Sequence, residues 1–281
     1  MTHSFLMIGQ SNMAGRGFLN EVPPIYDEKI KMLRNGRWQM MAEPMNFDRS
    51  TSGISLAASF ASSWRLLHNQ KDDIGMIPCA DGGTSLDDWS VEGPLFQNAV
   101  LQAKAAQKIS TLSGILWHQG ESDSNGQKHR LYIEKFALII KTLREELNAP
   151  DLPLIIGGLG EFLQDGMYGP YFNEHHEVNA ALTQFAKDQQ DCYFVSAIGL
   201  TANPDNIHFN AVSQRKFGVR YFKAFQKKNH ILEALPDEDQ IIETIHQKPL
   251  TKNEKHELLQ FQWAMGTISA DEFQAQVAKL S

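Results

Sequence analysis

Cysteine is scarce: in 281 residues it occurs only at 79 and 192, each beside apolar neighbours. Two isolated thiols cannot frame a disulfide scaffold or a zinc site, so both are expected to be buried and reduced. Positive charge is not concentrated anywhere either. The net charge is −7 and no Lys/Arg run or basic stripe occurs, which removes the counterion-release term that drives nucleic-acid binding. No apolar stretch approaches the ~20 residues needed to cross a bilayer. The start, Met1-Thr-His-Ser-Phe-Leu-Met-Ile-Gly, lacks the basic region and long apolar stretch of a signal peptide. The cytoplasm is therefore the expected compartment, with no membrane partner.

Familiar catalytic signatures are missing too. There is no HExxH and no GK[ST] phosphate loop, and Gly157-Gly-Leu-Gly160 lacks the spacing of a dinucleotide fingerprint. Met13 stands where the second glycine of a GxSxG elbow would be. In Glu174-His-His-Glu177 the adjacent histidines point about 100° apart on a helix, so they cannot chelate as an i, i+4 pair would. No metal and no cofactor are expected.

What is present is the alternation of an α/β protein. Short β-rich apolar runs at Ser4–Ile8, Ile74–Cys79, Gly114–His118, Leu154–Gly158 and Cys192–Ser196 are separated by helical patterns. Ile54, Ala58, Ala61, Trp64 and Leu67 fall three or four apart, as do Phe136, Ile139, Ile140, Leu143 and Leu147. Asn210 is placed to cap a last helix carrying Phe217, Val219 and Phe222. The expectation is a three-layer α/β/α sandwich around a five-stranded, mainly parallel, doubly wound sheet. Asn35-Gly36 suits a type I′ turn and predicts a hairpin on the sheet's rim. The main domain should span residues 1–229 and a linker with two short helices residues 230–281. The linker is Leu235-Pro-Asp-Glu-Asp-Gln, and the helices are Glu254–Met265 and Ala270–Leu280, with a capping box at Ser269 and Glu272. Such a pair docks on its own domain or on another copy, which leaves a homo-oligomer contact open.

Ligands of open α/β sheets bind beyond the carboxyl ends of the strands, and there the polar residues collect. The first strand runs into Gly9-Gln-Ser-Asn-Met-Ala-Gly15, which puts Ser11 at the sheet's edge. The second ends in Asp81-Gly-Gly-Thr-Ser85, the third in Trp117-His-Gln-Gly-Glu-Ser-Asp123, and the fifth is followed by Pro204-Asp-Asn-Ile-His-Phe-Asn210. A serine hydroxyl becomes a nucleophile when an imidazole takes its proton, and the imidazole needs an orienting acceptor. Asp205-x-x-His208 can supply both from one tight loop. The Ser11 amide, the Gly83 amide and the Gln119 side-chain NH2 are the candidate oxyanion donors.

These motifs, in this order over roughly residues 4 to 228, resemble the SGNH hydrolase superfamily. More narrowly they resemble its sialate O-acetylesterase-like group, which includes the acetylxylan esterases of carbohydrate esterase family six. The resemblance implies Ser11 as nucleophile, His208 as base, Gly83 as an oxyanion donor, and Gln119 in the place of the superfamily's asparagine. It leaves two acids for the third triad position. Asp205 fits the superfamily rule, whereas Glu121 matches a residue given that role in relatives; the short loop favours Asp205, with Glu121 then organising Gln119 or the residues behind the catalytic ones.

The implied activity is deacetylation of acetylated carbohydrates through an acyl-enzyme, with xylo-oligosaccharide the first substrate guess and sialate the second. A short-chain lipase or thioesterase, or a non-catalytic carbohydrate-binding protein, are the rival readings. Gln10 and Asn12 beside Ser11, and Trp89 and Trp117, are candidate substrate contacts, since indole faces suit sugar C–H groups. Trp38 is a weaker one, and His118 reads as structural.

Overall fold

The computed structural model describes residues 2–68 and 72–280. Seven strands form one sheet: β1 (Thr2–Gly9), β2 (Ile30–Arg34), β3 (Arg37–Met40), β4 (Asp73–Pro78), β5 (Thr111–His118), β6 (Leu154–Gly157) and β7 (Cys192–Val195). Their spatial order is β3-β2-β4-β1-β5-β6-β7, parallel throughout except that β3 runs antiparallel to β2.

The expectation of five strands is corrected here. The hairpin lies at the sheet's edge, as expected, but its strands belong to the sheet and raise the count to seven. β2 pairs with β4 through Ile30 and Ile74, Lys31 and Gly75, and Met32 and Met76. The turn residues Asn35 and Gly36 have φ of 53° and 73°, as a type I′ turn requires. The join is tight because Gly75 has no side chain. A Cβ there would lie 2.6 Å from the Trp38 ring, which crosses from β3 onto β4.

The central strands bury both faces. Phe5 and Met7 of β1 enter one core, while Leu6 and Ile8 enter the other, because successive side chains point to opposite sides. Helices α3 (Pro94–Gln107), α4 (Tyr132–Glu146) and α5 (His175–Asp188) cover the Leu6 face. Helices α2 (Ala57–Leu67) and α6 (Ala211–Lys227) cover the Phe5 face. These two pack closely, since a Cβ on Gly218 would meet the Leu56 carbonyl at 2.1 Å. Asn210 caps α6 as expected, its side chain accepting from the Ser213 amide at 2.9 Å. The connections from β1 and β5, which are neighbours, leave in opposite directions across the sheet. The crevice between their carboxyl ends is where such sheets hold ligands.

The acidic stretch read as a linker is helical in its second half, since Glu238, Asp239 and Gln240 open helix α7 (Glu238–His246), a helix the sequence pattern did not predict. Glu238 accepts two hydrogen bonds from Arg220, at 2.8 and 2.9 Å, and both side chains are buried. Helix α8 (Lys252–Ala264) docks through buried Leu259 and through Glu254, which accepts from the Glu28 amide and from Lys248. Helix α9 (Ala270–Ala278) carries the expected Ser269–Glu272 capping box, buries none of its residues, and leans on α8 through Trp263 and Phe273 stacked at 5.1 Å. Cys79 and Cys192 are buried and unpaired, and burial pushes the Cys79 thiol up to about 12. Among the described residues no helix is long and apolar enough to cross a membrane.

Candidate active site

The turn after β1 exists because of Gly9. Its φ is 130°, and a Cβ would lie 2.0 Å from the His118 carbonyl oxygen. The chain therefore passes flush against β5, with the Gln10 amide donating to that carbonyl at 2.8 Å. It then enters the single turn α1 (Ser11–Ala14) with Ser11 at its first position. An amide there has no partner within the helix.

The loop after β7 brings the imidazole to this turn. Asp205 Oδ1 accepts from the amides of Ile207 and His208, at 2.8 and 3.0 Å, which folds the loop into a tight Asx-type turn around Asn206 at φ 53°. Asp205 Oδ2 faces His208 Nδ1 at 2.7 Å, so that nitrogen carries the proton. Nε2 is left to accept from the Ser11 hydroxyl at 3.0 Å. Partial burial alone would raise the Asp205 carboxyl; the hydrogen bonds from the His208 ring and from the two amides outweigh it and hold the group at about 2. Ser11, His208 and Asp205 thus form one continuous chain of hydrogen bonds.

Asn12 fastens the two loops together. Its Oδ1 accepts from the Phe209 amide at 3.0 Å, and its Nδ2 donates to the Ile207 carbonyl at 3.2 Å and to Glu121 Oε1 at 2.5 Å. With every polar atom engaged and 1% exposure, Asn12 has nothing to offer a substrate, contrary to the expectation. Glu121 reaches Asn12 rather than His208, and its other neighbour is His118 Nδ1 at 3.7 Å. It stands beneath the nucleophile turn, and the acceptor on His208 Nδ1 is Asp205.

Gln119 also departs from expectation. It is fully buried, and its Nε2 donates to the Thr84 carbonyl at 3.0 Å and to Asp123 Oδ2 at 2.6 Å, while its Oε1 accepts from the Tyr132 hydroxyl. No N–H is left for an oxyanion. Burial raises the Asp123 carboxyl despite that hydrogen bond. Gln10 has the opposite arrangement. Its Oε1 accepts from the amides of Gly120 and Ser122, at 3.4 and 3.3 Å, and from Gln119 Nε2 at 3.3 Å, and of the three side-chain amides around Ser11 its NH2 is the least committed to protein acceptors.

The glycine loop after β4 runs beside the nucleophile, since a Cβ on Gly82 would sit 3.5 Å from Ser11 Cβ. Gly83 follows at φ 77° with open space around it. The segment between β3 and α2 holds this loop. Asn46 brackets Ala80 with two hydrogen bonds of 3.0 Å, Asp48 accepts from the Gly82 amide at 2.8 Å, and Arg49 donates to the Gly82 carbonyl at 2.9 Å. Burial would raise Asp48, but Arg16, the Ser52 hydroxyl and the Gly82 amide keep it below the usual range. Asn46, Asp48 and Arg49 escaped the sequence reading because they fall in an irregular segment with no motif spacing, and Arg16 because it lies one residue beyond the Gly9–Gly15 turn.

Trp89 and Trp117 are fully buried, with the Trp89 indole N–H donating to Thr84 Oγ1 at 3.1 Å, so neither can stack on a sugar. His175 and His176 place ligand-type atoms within 4.8 Å of one another and of Glu161. The third group comes from a different segment, which the helix-spacing argument did not consider.

Known proteins share this arrangement of elements. The pattern of the family described as carbohydrate esterase, sialic acid-specific acetylesterase, matches residues 1–227. A probable carbohydrate esterase of Arabidopsis thaliana, At4g34215, is 28% identical over 242 residues, covering 79% of this chain and 89% of that protein. The X-ray structure of the same plant protein superposes with a TM-score of 0.72 at 26% identity, over 80% of this chain and 98% of that one. NanS shares the fold at a TM-score of 0.62 and 17% identity, over 81% and 97% of the two chains. A carbohydrate acetylesterase from Xanthomonas citri does so at 0.58 and 19%, over 79% of this chain and 55% of that one. A serine, an imidazole and a carboxylate aligned at the sheet's carboxyl edge, within a match that spans the whole sheet, place this chain in the sialic acid-specific acetylesterase family of carbohydrate esterases.

Proposed function

We propose that the protein removes acetyl groups from acetylated carbohydrates by acyl transfer, with xylo-oligosaccharide acetates the first substrate and sialate acetates the second. The observation that carries this reading is the hydrogen-bonded line Ser11–His208–Asp205. Ser11 Oγ attacks the acetyl carbonyl while His208 Nε2 takes its proton, and Asp205 stabilises the imidazolium that forms. The developing oxyanion is received by the Ser11 and Gly83 amides, with the Gln10 NH2 as the third donor in place of Gln119. His208 returns the proton to the departing sugar hydroxyl, and water then hydrolyses the acetyl-enzyme by the same route. No step calls for a cofactor.

The test is acetate release from acetylated xylo-oligosaccharides by the wild type and by Ser11→Ala. Release that persists in the variant would remove Ser11 from the mechanism. A lipase or thioesterase using the same groups would need an apolar acyl groove. Rates on nitrophenyl esters that rise with acyl length would favour the lipase reading instead.

A further inference from the structure

Resting on the deacetylation reading, the position of His208 decides where the sugar lies. The leaving oxygen receives its proton from His208 Nε2, so the sugar must occupy the His208 side of Ser11. That side opens into a cavity of about 610 Å³ whose walls include His208, Asp205, Arg16, Phe18, Thr51 and Asn203. Its size is that of a site for a small organic ligand.

Phe18 is 47% exposed in this cavity. Its backbone is firmly held, because the neighbouring Gly17 exchanges hydrogen bonds of 3.1 and 2.8 Å with Ile54. A Cβ on Gly17 would also lie 2.6 Å from Ala211 Cα. An exposed aromatic side chain on a held backbone, beside the polar groups of Thr51, Ser52 and Asn203, suits a sugar ring, with C–H groups on the aromatic and hydroxyls on the polar groups. Asn203 adds an acceptor. Its Nδ2 donates to the Arg16 carbonyl at 2.8 Å, which orients the amide, while its buried Oδ1 has no donor in the protein. A buried acceptor left without a donor favours a ligand that supplies one.

Charge narrows the ligand further. Arg16 is the cation in the cavity wall, and its guanidinium is committed to Asp48, at 2.6 and 3.1 Å, and to the Gly15 carbonyl. Arg49 nearby is paired with Asp81. Asp205 contributes a negative charge. A carboxylate-bearing sugar would enter without a counterion and against that charge. We propose that this cavity is the leaving-group subsite, that Phe18 is its ring platform and Asn203 its hydroxyl acceptor, and that it takes an uncharged sugar in preference to an acidic one.

The experiment compares acetate release from three esters by the wild type, Phe18→Ala and Phe18→Tyr. The esters are O-acetylated xylobiose, O-acetyl-N-acetylneuraminate, and ethyl acetate, whose leaving group is too small to reach Phe18. The wild type should prefer the neutral sugar ester over the acidic one by about tenfold or more in kcat/KM, as an uncompensated charge predicts. Phe18→Ala should lower kcat/KM for acetylated xylobiose about fivefold more than for ethyl acetate, chiefly through KM. Phe18→Tyr, which keeps a ring, should restore that ratio. Equal or better turnover of the acidic ester would overturn the charge preference. An equal loss on xylobiose and ethyl acetate would show that Phe18 acts on the fold or the triad, and would overturn the platform. Inertness of the wild type toward all three, ethyl acetate included, would instead sink the esterase reading itself.

Discussion

Two polar networks lie under the carboxyl edge of the sheet, and they differ in what their atoms face. In the line from Ser11 through His208 to Asp205, the imidazole and carboxylate remain partly exposed, at 21% and 38% of their side chains. In the network of Gln119, Asp123, Glu121 and Asn12 every residue is at most 2% exposed, and the amides are engaged with protein acceptors. Both networks are built from residue types that chemistry uses. Only the first has atoms within reach of a substrate, whereas the second has the partners and burial of a scaffold. A buried amide whose hydrogen bonds are all made holds loops in place, and an exposed imidazole between a hydroxyl and a carboxylate can move a proton.

The sharpest way to break that division is to substitute one member of each network and ask whether rate or stability changes. Ser11→Ala or His208→Ala should reduce kcat about 10³-fold or more with the fold intact, measured as acetate release alongside a thermal melt. Asp205→Asn should cost about 10³-fold in kcat by leaving the wrong tautomer at Ser11. Glu121→Gln should cost no more than about tenfold in kcat while lowering stability by about 1–3 kcal/mol, since it disturbs a buried hydrogen bond to Asn12. If Glu121→Gln were the more damaging to kcat, Glu121 and not Asp205 would belong to the triad.

A second pair is subtler. Gln10→Ala should lower kcat about 10- to 100-fold with little change in melting temperature, as loss of an oxyanion donor does. Gln119→Ala should instead destabilise by about 1–3 kcal/mol, because Thr84, Asp123 and Tyr132 lose their partner. The reverse pattern would return the oxyanion role to Gln119.

The smallest effect concerns acid. Asp205 is held at about 2 in the folded protein, below the ordinary carboxylate value of about 4. Its ionised form therefore favours the folded state, fully above about pH 4, and that contribution is lost as pH falls through about 2. A pH–rate profile should accordingly show no step from Asp205 between about pH 3 and 5. Following the Asp205 carboxyl by NMR through an acid titration checks this directly.

Much of this was legible in the chain. The five strands found by apolar runs are β1, β4, β5, β6 and β7, because buried parallel strands need unbroken apolar residues on both faces. The Asn35-Gly36 turn and the Asn210 and Ser269 caps were also readable, since each is a local match of residue to backbone. What escaped depended on distant partners. β2 joins the sheet because Gly75, about 40 residues on, leaves room for Trp38. Trp89 and Trp117 look like sugar platforms until the helices of the Leu6 face close over them. Gln119 carries the chemistry of an oxyanion donor, but Thr84 and Asp123 already accept from it.

Sequence by itself therefore determined five of the strands, the caps and the short turns that bring Ser11, Gly83 and the Asp205–His208 pair to the sheet's edge, because periodicity, caps and turn residues act over a few neighbouring positions. Tertiary structure decided which polar side chains are left with a free hydrogen-bonding atom facing solvent. That depends on acceptors and donors brought in from remote segments, such as Asp48 onto Gly82 and Glu121 onto Asn12, and no local pattern encodes them.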